Sequence, residues 1–510
     1  MKNTNEIRIG AILSYVNLAI GCIIPLFYTP VMLRLLCQGE YGVYALSNSV
    51  ISYLSLLNLG VGSAVIRYIT KYRAEDRIED VRRIFGLFAV IYACLSVLVL
   101  AGGGVLISLS GSLFGRGLTA DEIKTLQKLL VVMSVSTAIS FPLGLFSSVT
   151  IVYERYLFNK LVAIAETVLL PVLNLIVLFF GQGAVGLAVL GMMMQLMNGV
   201  IFACYCKKKL DVYPVFRNMP VGILKELVVF CAFVFLSSVV DLLYWATDKV
   251  LIGAIIGSVA VAVYNVGGTF TSMLQSMAHA ISGVFAPRVN MMVAKNEDME
   301  KLSALLIRVG RLQYLVVSLV LSGYVVFGRK FVILWAGEEY VDAYYVGMLT
   351  MIPLVVPLIQ NIAFTTIIAQ NKHRFRSIIY ALIAVVNVVS TYLVLPRYGI
   401  IGAAVCTAVA FVLGQGIIMN IYYYRVTRLD IPAFWKNIGR MSIVPSTMIV
   451  VFGMILRYIC HIASIWELAA GICVYTLCFA ILTWFVSMNR YEKDLLGGML
   501  KRVAPTTRKN

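Results

Sequence analysis

Long uninterrupted apolar runs recur along almost the whole chain, and they decide what it can fold into. The first extends from Ile9 to Leu33 without a charge until Arg34. In hydrocarbon, every backbone N–H and C=O must be paired within its own segment or within a closed barrel. These runs are continuously apolar and do not alternate between apolar and polar residues, which excludes a barrel and leaves helices. Composition agrees: of 510 residues, 61% are hydrophobic and 13% charged, where a soluble domain carries about 25% charged residues. The chain reads as an all-α polytopic membrane protein.

Fourteen spans are expected, near 9–33, 42–65, 85–109, 127–150, 160–180, 184–205, 227–252, 259–286, 309–328, 344–368, 377–395, 400–424, 441–460 and 465–487. Between 227 and 286 there is room for two helices, with Gly253 and Gly257 near the turn. Lys2 and Arg8 precede a first run too long for a cleavable signal, so that run is read as the first span.

An even number of spans places both termini on one side, and the basic residues choose the side. With the termini cytoplasmic, 33 of the 42 Lys and Arg residues fall in cytoplasmic segments and 9 on the opposite side. That asymmetry follows the positive-inside rule. The net charge of +18 is then explained by cytoplasmic loops, and no nucleic-acid partner is expected. The loops are short, leaving no room for a soluble catalytic domain. Most of the ten cysteines, such as Cys22, Cys94, Cys231, Cys406, Cys473 and Cys478, lie inside apolar runs. Cys204 and Cys206 are too close for a zinc half-site, and no second half follows. No disulfide framework, metal or other cofactor is expected.

Two cytoplasmic pieces have amphipathic character. Arg67–Arg83 sets Arg73 and Arg77 against Asp76 and Asp80 and reads as a short surface helix. Arg288–Arg311 carries Met299, Leu302, Leu305, Leu306 and Val309 on one side. Basic residues in both suit anionic membrane lipids, and equally suit solvated linkers that obey the topology rule.

The chain repeats internally. Gly183-Ala-Val-Gly186-Leu-Ala opens the sixth span and matches Gly399-Ile-Ile-Gly402-Ala-Ala at the twelfth. The preceding spans each hold one asparagine, Asn174 and Asn387, and Gly39–Tyr44 before the second span matches Gly257–Tyr264 before the eighth. Six spans per unit implies two pseudo-symmetric lobes running in the same direction. The expected divisions are 1–225, 226–424, and 425–510 for the last two spans and a cytoplasmic tail.

The seventh span ends in Asp241-Leu-Leu-Tyr244-Trp245-Ala-Thr-Asp248-Lys249. Asp241, Tyr244, Trp245 and Asp248 fall at i, i+3, i+4 and i+7, one face of a continuous helix. Two carboxylates beside two rings suit a sugar, whose hydroxyls bond carboxylates and whose C–H faces stack on rings. The competing reading is a helix leaving the bilayer with Trp245 and Tyr244 as interface anchors.

The segment Pro25-Leu-Phe-Tyr-Thr-Pro30-Val-Met-Leu-Arg34, continuing through Gly39-Glu-Tyr41-Gly42-Val-Tyr44 and Leu57-Asn-Leu-Gly60-Val-Gly62 to Arg67, closely resembles the opening of bacterial polysaccharide and O-antigen flippases. These belong to the multidrug, oligosaccharidyl-lipid and polysaccharide exporter superfamily. The Gly399 motif and the stretch Asp248-Lys249…Gly253…Tyr264 resemble that family too, and the resemblance covers the whole length. It implies two six-helix lobes around a cavity in a bacterial inner membrane, and a lipid-diphosphate-linked oligosaccharide moved to the outer leaflet by alternating access. Partners it implies are that substrate, membrane lipids and the polysaccharide polymerase machinery.

Such a cargo needs cations for its diphosphate in a wet cavity. Arg34, Arg67, Lys249 and Arg288 are the phosphate candidates on the helices that line the cavity in relatives; each equally suits a headgroup-contacting helix end. Pro25 and Pro30 precede Arg34 and can bend the first span. Arg311 begins the ninth span. Glu166 in the fifth span and His279 in the eighth are candidates for coupling to a proton or sodium gradient, or for plain interhelix hydrogen bonds. Asn17, Asn48, Asn58, Asn174, Asn361 and Asn387 suit interhelix bonding. The alternatives are a drug or cation antiporter of the same fold, and a membrane glycosyltransferase or polymer ligase. The first predicts a carboxylate-rich cavity, the second a large catalytic loop.

Overall fold

The computed structural model describes residues 2–370, 372, 374–458 and 462–495, with backbone alone at 2–12, 15, 221, 233, 237 and 374. The tail residues Lys501, Arg502, Arg508 and Lys509 lie outside the described residues. Among these residues the secondary structure is helical, with no strand. In chain order the helices are α1 (Lys2–Leu35), α2 (Gln38–Ser55), α3 (Val61–Ala74), α4 (Ile78–Phe114), α5 (Ala120–Val152), α6 (Tyr156–Phe179), α7 (Gly183–Tyr205), α8 (Leu224–Trp245) and α9 (Thr247–Ile255). There follow α10 (Ser258–Ala294), α11 (Met299–Ala336), α12 (Asp342–Ile359), α13 (Asn361–Ala369), α14 (Arg374–Phe411), α15 (Met419–Arg425), α16 (Ile431–Met441), α17 (Ile443–Tyr458) and α18 (Ile465–Leu482).

Twelve helices among the described residues are long and apolar enough to cross a bilayer, against fourteen expected spans. Two differences account for this. The expected spans 377–395 and 400–424 form one run, Phe375–Arg425, of 51 residues. As a straight helix it would be roughly 75 Å long, more than twice a hydrocarbon core. Gly399 interrupts it, with φ 61° and ψ −154°. The expected span 259–286 is present as α10, 37 residues long, but its serines, threonines, glutamine and histidine make it too polar to count as a span by composition.

Local chemistry sets the ends. Thr119 and Glu122 form a capping box at the start of α5, and Ser464 and Glu467 form another at α18. Asp430 caps α16, whose Ile431, Phe434, Ile438 and Met441 are buried at helical spacing. Pro25 and Pro30 lie inside α1, which continues helical through both. The expected surface helix over 67–83 is instead the end of α3 and the start of α4, broken where Asp76 takes φ 55°. Its charges pair as Arg77–Asp80 and Arg83–Glu79 within the first turns of α4.

The chain forms two compact units: Met1–Asn265 with Ala384–Ala403, and Val266–Ile383 with Ala404–Asn510. In the first, α5 packs against α4, α7 and α2, and α1 packs against α6. Helices α8 and α9 belong to this unit: α8 packs on α3, and α9 on α2 and α4. In the second unit α11 is the hub, contacting α12, α13, α16, α17 and α18. One of its apolar cores joins Leu302, Leu306, Ile359, Phe434 and Tyr423; the other joins Phe327, Val444, Leu468 and Tyr475.

Candidate functional site

The two matched glycine motifs do the same local work. Gly183 and Gly399 both have positive φ, 58° and 61°, which disfavours any side chain; Gly399, at ψ −154°, lies in a region essentially confined to glycine. At Gly183 the Glu40 carboxylate also occupies the space a Cβ would need. Glu40 accepts the Ala184 N–H at 2.7 Å, placing a negative charge on the N-terminus of α7. Gly42, three residues after Gly39, lets α2 press onto the first turn of α10, since a Cβ there would overlap the Ser258 carbonyl. Ser258 in turn donates to Glu122. The Gly39-Glu-Tyr-Gly42 motif thus fixes where α2 meets α7 and α10.

Beside that junction, the first unit gathers a polar cluster within its apolar helices. Lys249 Nζ donates to Asn265 Oδ1 at 2.8 Å, and Asn265 Nδ2 donates to the Tyr41 hydroxyl at 2.7 Å. Asp248, only 2% exposed, accepts the Tyr264 hydroxyl at 2.7 Å. Tyr53 and Thr247 share a hydrogen bond of 2.7 Å between their hydroxyls. A buried carboxylate next in sequence to an ammonium, each hydrogen-bonded to a neutral partner, is how charges are tolerated at membrane depth.

The four residues read as one helical face are divided. The helix is interrupted at Ala246, between α8 and α9. Asp241 and Trp245 are exposed, while Tyr244 and Asp248 are buried. A continuous helix would have kept all four together; the kink turns Asp248 inward to Tyr264.

In the second unit, α10 presents a polar face. Ser272, Ser276 and His279 are exposed at i, i+4 and i+7. The opposite face is buried through Phe270, Leu274 and Ala278. Exposed positions on a lipid-facing helix are apolar, so exposed serines and a histidine suit contact with water better than with lipid. The Asn361 amide lies 3.4 Å from His279 Nδ1.

Arg34 is exposed in the last turn of α1. Arg67 is exposed on α3, its guanidinium 5.5 Å from the Phe230 ring centroid on α8. One position on, Tyr68 donates to Glu226 at 3.2 Å, so this side of α3 is tied to α8. Arg288 is exposed near the end of α10. Glu166 is half-buried on α6 and shares a hydrogen bond with Asn198 on α7. Among the sequence candidates, Asp248 and Lys249 enter the polar cluster. Tyr41, Tyr53, Thr247 and Asn265 complete it, and sequence reading singled out none of them as a site residue.

Arg311 is not a ligand candidate. It is buried, and its guanidinium grips Glu492 with both arms, at 2.6 and 3.0 Å. Its Nη2 also donates to the Ser487 carbonyl at 2.8 Å.

The family model for polysaccharide biosynthesis proteins matches residues 10–293, more than half of the chain. The chain belongs to this family. Residues 10–293 take in the Gly39–Gly42 motif, the Lys249–Asn265–Tyr41 cluster and α10. Among curated relatives, "Uncharacterized membrane protein EpsK" of Bacillus subtilis (strain 168) is 23% identical over 495 residues, 94% of each chain. The "Putative O-antigen transporter" of Shigella flexneri is 21% identical over 396 residues, covering 75% of this chain and 89% of that one. Among solved structures, the lipid II flippase MurJ in an inward closed conformation superposes with TM-score 0.73 at 14% identity, covering 96% of this chain and 99% of that one. An inward-facing multidrug resistance transporter of the MATE family, in the MOP superfamily, gives 0.61 at 16% identity over 84% and 99%. The chain shares the polytopic all-α fold of these two structures.

Proposed function

We propose that this polysaccharide biosynthesis family member is a flippase. It moves a polyprenyl-diphosphate-linked oligosaccharide, such as an O-antigen or polysaccharide repeat unit, from the cytoplasmic to the outer leaflet of a bacterial inner membrane. The observation that carries this reading is the Asp248–Tyr264 and Lys249–Asn265–Tyr41 arrangement, charged and amide-rich within helices that otherwise read as membrane spans. A hydrophilic headgroup crossing oil needs hydrogen-bonding groups along its route, with cations for the diphosphate. In the second unit, the exposed Ser272, Ser276 and His279 of α10 offer hydrogen-bonding groups of the same kind. The names of two similar proteins, an O-antigen transporter and a lipid II flippase, support a lipid-linked cargo.

No bond in the cargo is broken, so the protein acts as a transporter and not an enzyme. Alternating access supplies the movement, with both termini cytoplasmic and Lys249, Arg34, Arg67 and Arg288 available to the diphosphate. Asp241 and Trp245 offer a carboxylate and a ring to the sugar. Glu166 and His279 are the groups available to a proton or sodium gradient. Polymerase machinery takes the delivered repeat unit. The test is gene deletion with analysis of carrier-linked oligosaccharide in each leaflet. Accumulation on the inner leaflet, relieved by the wild-type chain, supports the reading; unchanged leaflet distribution contradicts it.

A further inference from the structure

We propose that the hairpin joining α10 and α11 carries a separate site for a phosphate or diphosphate group. Arg288 lies on the last turns of α10 and Lys295, seven residues on, just past its end with its N–H still bonded to the Met291 carbonyl; Lys301 and Arg308 lie seven apart on the first turns of α11. That spacing puts each pair on one face of its helix, and the two faces meet around a cavity of about 360 Å³. The volume lies within the range of small-ligand sites.

Charge makes the cavity selective. Four cations line it against one carboxylate, Glu297, which already pairs with Lys301 at 3.7 Å. Among the described residues Glu297 is the one carboxylate that lines the cavity, and an anion offsets the repulsion among Arg288, Lys295 and Arg308. The Arg308 guanidinium stacks over the Tyr491 ring at 4.3 Å, which holds its plane while leaving its N–H edge to an oxyanion. The floor is apolar, with Met292 and Leu305 buried in the core of the second unit, so the pocket does not collapse onto its own charges. The other side of the same hairpin offers a contrast: a cavity of about 740 Å³ lined by Asn290, Asn296 and Gln370 with one cation, Lys372.

Tetrahedral phosphate oxygens are the shared chemistry, and they come either from a lipid headgroup or from a soluble diphosphate. This site lies outside the Lys249–Asn265–Tyr41 cluster and shares Arg288 with the transport reading; the substitutions that test it, at Lys295 and Lys301, leave Arg288 in place, so binding here and transport fail separately. Full-length protein in phosphatidylcholine nanodiscs is titrated with inorganic diphosphate by calorimetry. The expected result is saturable binding, weakened about tenfold or more by Lys295→Gln with Lys301→Gln and retained by Lys295→Arg with Lys301→Arg. The arginine pair controls for misfolding. Replacing part of the phosphatidylcholine with phosphatidylglycerol separates the sources: loss of diphosphate binding assigns the site to lipid-borne phosphate, and unchanged binding to the soluble group. Absence of diphosphate binding by the wild-type protein in phosphatidylcholine, or equal binding by the wild-type and glutamine proteins, overturns the proposal.

Discussion

Lys249 donates its ammonium proton to the side-chain oxygen of Asn265 at 2.8 Å. That bond ties α9 to the first turns of α10, and Asn265 passes it on to Tyr41 of α2. Three helices therefore share one cation. Lys249→Ala leaves Asn265 and Tyr41 without their charged partner. The expected outcome is a loss of export of about tenfold or more, as for removal of a charged hydrogen bond, with protein abundance in the membrane unchanged. Lys249→Arg keeps the charge and is expected to retain part of the activity. Leaflet-resolved assay of carrier-linked oligosaccharide checks it.

Gly183 and Gly399 both have positive φ, 58° and 61°. Gly183→Ala and Gly399→Ala each place a side chain on backbone of positive φ; at Gly399, whose ψ of −154° is essentially confined to glycine, that costs about 1–3 kcal/mol. At Gly183 the new Cβ also meets the Glu40 carboxylate, while Gly399 faces open space. Both substitutions are expected to lower the thermal midpoint, and adding Glu40→Ala is expected to recover part of the loss at Gly183 and none of the loss at Gly399.

Gly42→Ala tests the contact between α2 and α10. Its Cβ would overlap the Ser258 carbonyl, and backbone cannot move aside as a flexible side chain can. Overpacking of this kind costs about 1–3 kcal/mol. Gly62→Ala on α3 meets nothing closer than the Tyr92 hydroxyl at 3.6 Å and is expected to be neutral. Scanning fluorimetry of the purified proteins distinguishes the two.

The Arg311–Glu492 pair joins α11 to the segment that follows the last span. Both side chains are almost fully buried, at 7% and 1% exposure. Breaking such a pair from one side strands a charge and costs about 3–5 kcal/mol. Arg311→Ala and Glu492→Ala are expected to destabilise strongly. The double replacement Arg311→Met with Glu492→Leu is expected to be milder than either, since no charge is left behind. Thermal unfolding of the three variants checks the order.

Much of this was legible because the signals are local. An apolar run such as Leu227–Val240 reports its own burial in lipid, and Gly183 and Gly399 announce a backbone that only their neighbours need to explain. Asp248 and Lys249 stood out as charges at the edge of such a run. Their partners did not. Tyr41 and Asn265 are 224 residues apart, and nothing in an isolated tyrosine or asparagine says which distant helix it meets. The kink at Ala246 has neither glycine nor proline beside it, so four residues at helical spacing were read as one face. In α14 the reverse holds: Gly399 was read as opening a new span, and it interrupts a run whose apolar composition is otherwise continuous. α10 met the length of a span but not the hydropathy, because its exposed stripe carries Ser272, Ser276 and His279.

Transbilayer movement measured directly tests the central claim. Wild-type and Lys249→Ala proteins are reconstituted into liposomes loaded with polyprenyl-diphosphate oligosaccharide, and the cargo's accessibility to an external glycosidase is followed over time. The wild-type protein is expected to expose the inner-leaflet pool, and Lys249→Ala to fall to the rate of protein-free vesicles. Wild-type vesicles no faster than empty ones, or Lys249→Ala as fast as wild type, would contradict it.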